Sequence, residues 1–281
     1  LRSALAIDRT SRERAAVIIV VRPGPGREER EAEIVRRVRE LGLEAHLSHG
    51  EERTVIGVVG HRLPPNVDEQ FEALPEVERV IRVTSKFKLA SREFHPQKTV
   101  IDLGDGVTVG GNELSIMAGP CSVESEEQTL ETAKAVAAAG ATILRGGAYK
   151  PRTSPYEFRG LGERGLEILA KAREVTGMKI ITEVMTPSDV ETVGQYTDVF
   201  QIGARNSQNY LLLEEVGKAG KPVMLKRGLS MLIEEWILAA EYVMAQGNPD
   251  VMLCERGIRT FETMTRNTLD VATVPVLQSL S

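Results

Sequence analysis

The stretch Lys179-Ile-Ile-Thr-Glu-Val-Met-Thr-Pro-Ser-Asp-Val-Glu-Thr-Val-Gly-Gln-Tyr-Thr-Asp-Val-Phe-Gln-Ile-Gly-Ala-Arg205 contains one repeat of a larger pattern. Lys179–Glu183 reads as a short apolar strand, Pro187–Val193 as a helix opened by proline, and Val199–Ile202 as a second strand. Working outward, the alternation continues on both sides. Further strands are expected at Leu114–Ala118, Thr142–Arg145, Pro222–Leu225 and Val251–Leu253. Helices are expected at Ser125–Ala139, Glu163–Thr176, Ser207–Ala219 and Ser230–Gln246, with a further helical stretch from about Phe261 to Leu280. Repeated β/α units imply a parallel sheet, either a barrel or a doubly wound fold. No strand runs into GxGxxG or GxxxxGK[ST], so a nucleotide-binding reading lacks its phosphate loop. A hairpin, Thr99–Leu103 and Val107–Val109 turned by Gly104-Asp-Gly106, precedes the repeats.

The first part of the chain has another pattern. Ala15–Val21 is a β-branched strand that stops at Arg22-Pro-Gly-Pro-Gly26. Glu28–Leu41 carries Ile34, Val35, Val38 and Leu41 on one helical face, with Gly42 as a C-terminal cap. Strands at Glu44–Ser48 and Thr54–Val59 are joined by His49-Gly-Glu-Glu52, and a helix at Val67–Leu74 and a strand at Val77–Val83 follow. The order βαββαβ is that of a ferredoxin-like α+β domain. These readings divide the chain into residues 1–95, which include the start of a linker over Lys86–Gln97, and residues 96–281. All four histidines (His46, His49, His61 and His95) lie in the first part, so the β/α part has none to offer as base or metal ligand.

Bulk properties narrow the classes. Of 281 residues, 42% are hydrophobic and 27% charged, which is enough to bury a core. The net charge is −5; residues 1–95 carry 17 basic and 16 acidic side chains, so the acidic excess sits in the rest of the chain. No basic run suggests nucleic acid, and no apolar run nears the ~20 residues a membrane span needs. Two cysteines, Cys121 and Cys254, read as reduced thiols, which predicts a cytoplasmic protein. A complete barrel uses eight units over about 250 residues. Only about six are legible here, so the chain is expected to be truncated within its barrel.

Chemistry in β/α sheets gathers at the carboxyl ends of the strands. Gly119-Pro-Cys-Ser122, Arg145-Gly-Gly-Ala-Tyr-Lys150, Glu183, Gly203-Ala-Arg205, Lys226-Arg-Gly228 and Cys254-Glu-Arg256 all fall there. Arg145, Lys150, Arg152, Arg205, Lys226 and Arg256 form a set of cations that would repel one another without an anionic ligand. Guanidinium forks suit phosphate and carboxylate, so a substrate bearing both, with a second phosphorylated partner, accounts for the set. In Lys150-Pro-Arg-Thr-Ser154 the proline stiffens a loop of phosphate-binding residue types. Cys121 reads as a metal ligand, a nucleophile or a plain buried thiol.

Together, Gly119-Pro-Cys-Ser-Val-Glu-Ser125, Leu144-Arg-Gly-Gly-Ala-Tyr-Lys-Pro-Arg-Thr-Ser154, Thr182-Glu-Val-Met185, Gln201-Ile-Gly-Ala-Arg-Asn206, Leu225-Lys-Arg-Gly228 and Cys254-Glu-Arg-Gly-Ile-Arg-Thr260 resemble the 3-deoxy-D-arabino-heptulosonate 7-phosphate (DAHP) synthase family, in its short-chain type Iβ branch with an N-terminal ferredoxin-like regulatory domain. The resemblance implies a (β/α)8 barrel that condenses phosphoenolpyruvate with erythrose 4-phosphate, the first step of the shikimate pathway. It implies that Arg145, Lys150, Arg205, Lys226 and Arg256 hold phosphoenolpyruvate, that Arg152, Thr153 and Ser154 hold erythrose 4-phosphate, and that Lys150, Glu183 and Arg145 take part in catalysis. Cys121 would ligate a divalent metal of the Mn, Fe, Co, Zn or Cd class, whose remaining His, Glu and Asp ligands belong to the seventh and eighth units. His46 and Ser48 match a strand motif tied to feedback inhibition by an aromatic amino acid, and the family implies a homotetramer. The alternatives are the sister enzyme 3-deoxy-D-manno-octulosonate 8-phosphate synthase, which normally lacks the extra domain, and a non-catalytic sugar-phosphate-binding protein.

Overall fold

The computed structural model describes residues 15–49, 54–60, 63–83 and 86–281. The chain divides into two compact units, one running to Gln97 and one from Lys98 to Leu277.

In the first unit, β1 (Ala15–Val21), α1 (Arg27–Glu40), β2 (Glu44–His49), β3 (Thr54–Gly60), α2 (Val67–Glu72) and β4 (Val77–Val83) make the expected ferredoxin-like order. The sheet is antiparallel, in the order β2-β3-β1-β4. Period-two alternation sends Val17, Ile19, Ile56 and Val58 to one face, where they pack against Ile34 and Val38 of α1 and Phe71 of α2. Ile18, Val20 and Val55 point to the other face and meet Phe94 of the linker. Gly57 permits that contact, since a Cβ there would lie 2.1 Å from the Phe94 ring. His46 and Ser48 sit on the edge strand β2 opposite Gly57 and Val55, and both are half-buried. Gly50–Glu52 of the expected loop and His61 lie outside the described residues.

The second unit begins with an antiparallel hairpin, β5 (Val100–Asp102) and β6 (Thr108–Gly110). Then come β7 (Met117–Ala118), α3 (Glu126–Ala138), β8 (Ile143–Arg145), α4 (Glu163–Thr176), β9 (Lys179–Glu183), α5 (Val190–Tyr196), β10 (Val199–Ile202), α6 (Tyr210–Lys218), β11 (Val223–Lys226), α7 (Ile233–Met244), β12 (Val251–Cys254) and α8 (Thr273–Leu280). The strands β7 to β12 lie side by side in chain order, all parallel, forming part of a (β/α)8 barrel.

Alternation along these strands sorts the side chains. Leu144, Ile180, Phe200, Ile202, Val223 and Leu225 face the helices and pack with Leu166, Leu169, Leu212, Leu213 and Trp236. Ile143, Ile181, Val199 and Met224 face the other way, onto Leu103, Val107 and Val109 of the hairpin segment. Each such aliphatic group, fully buried, stabilises by about 1.5–3 kcal/mol. Lys179 Nζ bonds Asp105 at 2.6 Å, which fixes the hairpin turn against the amino end of β9. The amino end is thereby plugged, and the inward positions that remain at the carboxyl end are Arg145, Glu183, Gln201, Lys226 and Cys254.

Two expectations need correction. The segment read as helical from about Phe261 is irregular to Ala272, held by an Ile258–Thr268 bridge, and only Thr273–Leu280 is helical. Thr260, Thr263, Thr265, Asn267 and Thr268 are poor helix formers, and their side chains compete for the backbone. Thr260 Oγ1 accepts from the Glu262 N–H at 3.1 Å, and Glu262 Oε1 accepts from the Met264 N–H at 2.7 Å. The helices expected from Ser207 and Ser230 start later. Asn209 Oδ1 caps α6 by accepting from Leu212 N at 3.3 Å, and Glu235 reaches back to the Leu232 N–H at 2.9 Å.

Candidate active site

The loop after β7 is turned back by Gly119, whose φ of 147° only glycine adopts freely and whose missing Cβ leaves room for the Arg145 carbonyl. The loop delivers the Cys121 carbonyl to two cations. Lys150 Nζ donates to it at 2.7 Å and Arg145 Nη1 at 3.0 Å. Lys150 Nζ also lies 3.3 Å from Cys121 Sγ. Burial alone would push the Cys121 thiol up, but its bonds to Arg145 and Lys150 outweigh burial and hold it below the ordinary thiol value.

Lys150 is buried at 7% exposure at the root of the Lys-Pro-Arg-Thr-Ser loop. The loop is pinched shut by a Tyr149–Gly160 bridge and by Lys150 N–H donating to the Arg159 carbonyl. Beyond the pinch, Arg152 Nε donates to the Phe158 carbonyl at 3.0 Å, and Ser154 Oγ accepts from the Tyr156 N–H at 3.3 Å. Arg205, exposed at the end of β10, donates to Thr153 Oγ1 at 3.4 Å and so joins this loop to a strand two places on.

Glu183 is the centre of the arrangement. Its carboxyl is buried, at 6% exposure, and Gly203 makes the space: a Cβ at Gly203 would lie 2.0 Å from Oε1. Burial raises its pKa above the ordinary carboxyl value, against the opposing pull of Lys150, Arg145, Lys226 and Arg205. Lys226 is held below its ordinary value, first by burial and then by Arg145, while Cys254 and Glu183 oppose the shift and Arg256 adds to it. Cys254 is raised by burial. Lys150, Arg145, Lys226 and Arg205 thus all act on one buried carboxyl, and Arg256 acts on Lys226. Arg152 belongs to the neighbouring loop rim instead.

Sequence reasoning gave no role to two residues here. Gln201 is fully buried and bridges the site: its Oε1 accepts from Arg145 Nε at 3.1 Å and its Nε2 donates to Glu183 Oε2 at 3.0 Å. Counting by twos from the inward Val199 would have found it. Arg227 points away from the hollow and binds Glu255 Oε2 at 3.1 Å, Asp270 Oδ2 at 2.9 Å and Thr273 Oγ1 at 2.9 Å. Nothing in the Lys226-Arg227 pair itself tells which cation turns inward.

A metal would need several donors. Among the described residues no group of three or more His, Cys, Asp or Glu side chains could hold one. Cys121 supplies a single suitable sulfur, already facing Lys150, so these residues do not by themselves fit the metal that the resemblance implies.

A parallel β/α sheet whose carboxyl ends carry polar and charged side chains has the architecture of a barrel enzyme. Residues 96–281 match the model of the DAHP synthetase I family, and residues 17–85 that of the DAHP synthase ferredoxin-like domain. The chain belongs to the DAHP synthase family. It is 51% identical over 265 residues to phospho-2-dehydro-3-deoxyheptonate aldolase of Thermotoga maritima, covering 94% of this chain and 78% of that protein. A crystal structure of that Thermotoga maritima enzyme superposes with a TM-score of 0.69 at 48% identity, over 96% of this chain and 78% of the other. The 2-dehydro-3-deoxyphosphooctonate aldolase of Acidithiobacillus ferrooxidans is 36% identical over 149 residues, which is 50% of this chain and 53% of that protein.

Proposed function

We propose that the cationic hollow binds phosphoenolpyruvate through Arg145, Lys150, Arg205, Lys226 and Arg256, and that the enzyme joins it to erythrose 4-phosphate held by Arg152, Thr153 and Ser154, giving DAHP and phosphate. The observation that carries this reading is the linkage of Lys150, Arg145 and the buried Glu183 through the Cys121 carbonyl and Gln201, with Lys226, Arg205 and Arg256 acting on the same cluster. An unliganded cluster of this kind is self-repelling; a carboxylate and a phosphate on one small molecule neutralise it. The enol carbon forms a bond to the aldehyde carbon, whose oxygen takes a proton. Water adds to the cationic carbon left behind, and the phosphate departs with its bridging oxygen. Lys150 and Arg145, pinned by the Cys121 carbonyl, stabilise the charge that develops without having to reorganise. Glu183, with Oε2 occupied by Gln201, presents Oε1 as the site for a proton or an ordered water.

The ligand set that the family's divalent metal requires is not met by Cys121 alone. We further propose that residues 1–95 form the regulatory part and residues 96–281 the catalytic part. In this reading His46 and Ser48 contact an aromatic amino acid inhibitor, tyrosine or phenylalanine, in a cytoplasmic homotetramer. One assay on the full-length protein tests the core of this. Phosphoenolpyruvate should disappear and inorganic phosphate appear in equal amounts with erythrose 4-phosphate as partner, and tyrosine or phenylalanine should slow the reaction. Turnover with arabinose 5-phosphate instead would reassign the substrate, and no effect of either amino acid at millimolar concentration would remove the regulatory part.

A further inference from the structure

We propose that Gln201 is a positioning residue that couples Arg145 to Glu183, fixing which guanidinium edge and which carboxyl oxygen face the substrate. The proposal rests on the assignment of that hollow as the phosphoenolpyruvate site. Gln201 is the last inward residue of β10, in register with Glu183 of β9, and its side chain reaches Arg145 at the end of β8. The inward residue below it is Val199, and an aliphatic side chain would fill the position at no desolvation penalty. A fully buried amide is stable only when its donor and acceptor are both used. Here neither is spent on backbone: one end meets a guanidinium and the other a carboxyl, at 3.1 and 3.0 Å.

The chemistry of the partners fixes the amide orientation. Arg145 Nε can only donate, so the oxygen must face it; flipping the amide would set two donors against each other. With Nε engaged by Gln201 and Nη1 engaged by the Cys121 carbonyl, the guanidinium plane is held at two points. On the other side, Glu183 Oε2 accepts from Nε2, so a proton on Glu183 resides on Oε1, the oxygen that lies against Gly203. One neutral side chain thus orders both a charge clamp and a proton site.

Two variants of the full-length enzyme test this. Gln201→Met keeps the volume and removes both bonds. It should lower kcat/KM for phosphoenolpyruvate roughly 10- to 100-fold, the scale of hydrogen bonds to charged groups, while KM for erythrose 4-phosphate stays unchanged. Gln201→Glu keeps an acceptor for Arg145 but sets a second carboxyl beside Glu183, among Arg145, Lys150, Arg205 and Lys226. Like charge raises the pKa of such a pair, so the inflection of the kcat profile that reports Glu183 should move to higher pH. A purely structural role predicts a lowered melting temperature with both KM values and the pH profile as in the wild type, and that result would overturn the proposal. Loss of turnover in the wild type itself would instead remove the assignment on which it rests.

Discussion

Glu183 carries the clearest consequence at the scale of a single residue. Its carboxyl holds a proton more tightly in the folded chain than the ordinary value of 4.5, because burial outweighs the four cations around it. Above pH 4.5 the folded state therefore binds more proton than the unfolded state, so this residue's contribution to stability falls as pH rises; below 4.5 both states are protonated and the contribution is constant. Glu183→Gln removes the titration. The melting temperature of the variant minus that of the wild type should be flat below pH 4.5 and climb in the variant's favour toward neutral pH. A difference independent of pH across that range would contradict the burial argument. The cations were legible in the sequence because each ends or follows a strand, at the level of the rim. Gln201 was not, because the worth of a buried amide depends on what lies across the sheet from it.

Among elements, the join between β11, β12 and α8 is held by charge as well as by packing. Arg227 is 6% exposed, its guanidinium carbon lies 6.0 Å from the Trp236 ring centroid, and it bonds Glu255, the residue between Cys254 and Arg256. It also bonds Asp270, which lies three residues ahead of α8. Arg227→Met leaves two carboxylates near a buried site without their counter-charge, and such losses destabilise by about 3–5 kcal/mol. Asp270 is partly exposed at 28%, so the lower end of that range is expected. Urea unfolding of wild type and variant measures it directly, and an unchanged midpoint would show the network to be idle. The strand positions around this join follow from the sequence, since short apolar runs bounded by Gly and Pro are local signals. The irregular path from Gly257 to Ala272 was hidden: its apolar residues are spaced like a helix, yet Phe261 and Met264 are almost fully exposed. The segment is fixed by the long-range ion pair of Arg227 with Asp270 and by bonds from the Thr260 and Glu262 side chains to the backbone, which no periodicity reports.

The whole molecule repeats one physical plan in its second unit: helices outside, an apolar layer inside, a hairpin closing one end and a polar layer at the other. The βαββαβ order and the β/α alternation were both readable, because period-two and helical patterns are set residue by residue. The plug was readable only as a hairpin; its docking depends on Leu103, Val107 and Val109 meeting inward side chains of four different strands. With one end filled by the hairpin, the cationic rim at the other end is the place where phosphoenolpyruvate is expected to bind. This expectation is tested most directly by a crystal structure of the protein with phosphoenolpyruvate bound. The ligand should lie at the carboxyl ends of β8 to β12, its carboxylate and phosphate among Arg145, Lys150, Arg205, Lys226 and Arg256, with Gln201 still bridging Arg145 and Glu183. Phosphoenolpyruvate bound elsewhere, with those five side chains making no contact to it, would show that the rim is not its site.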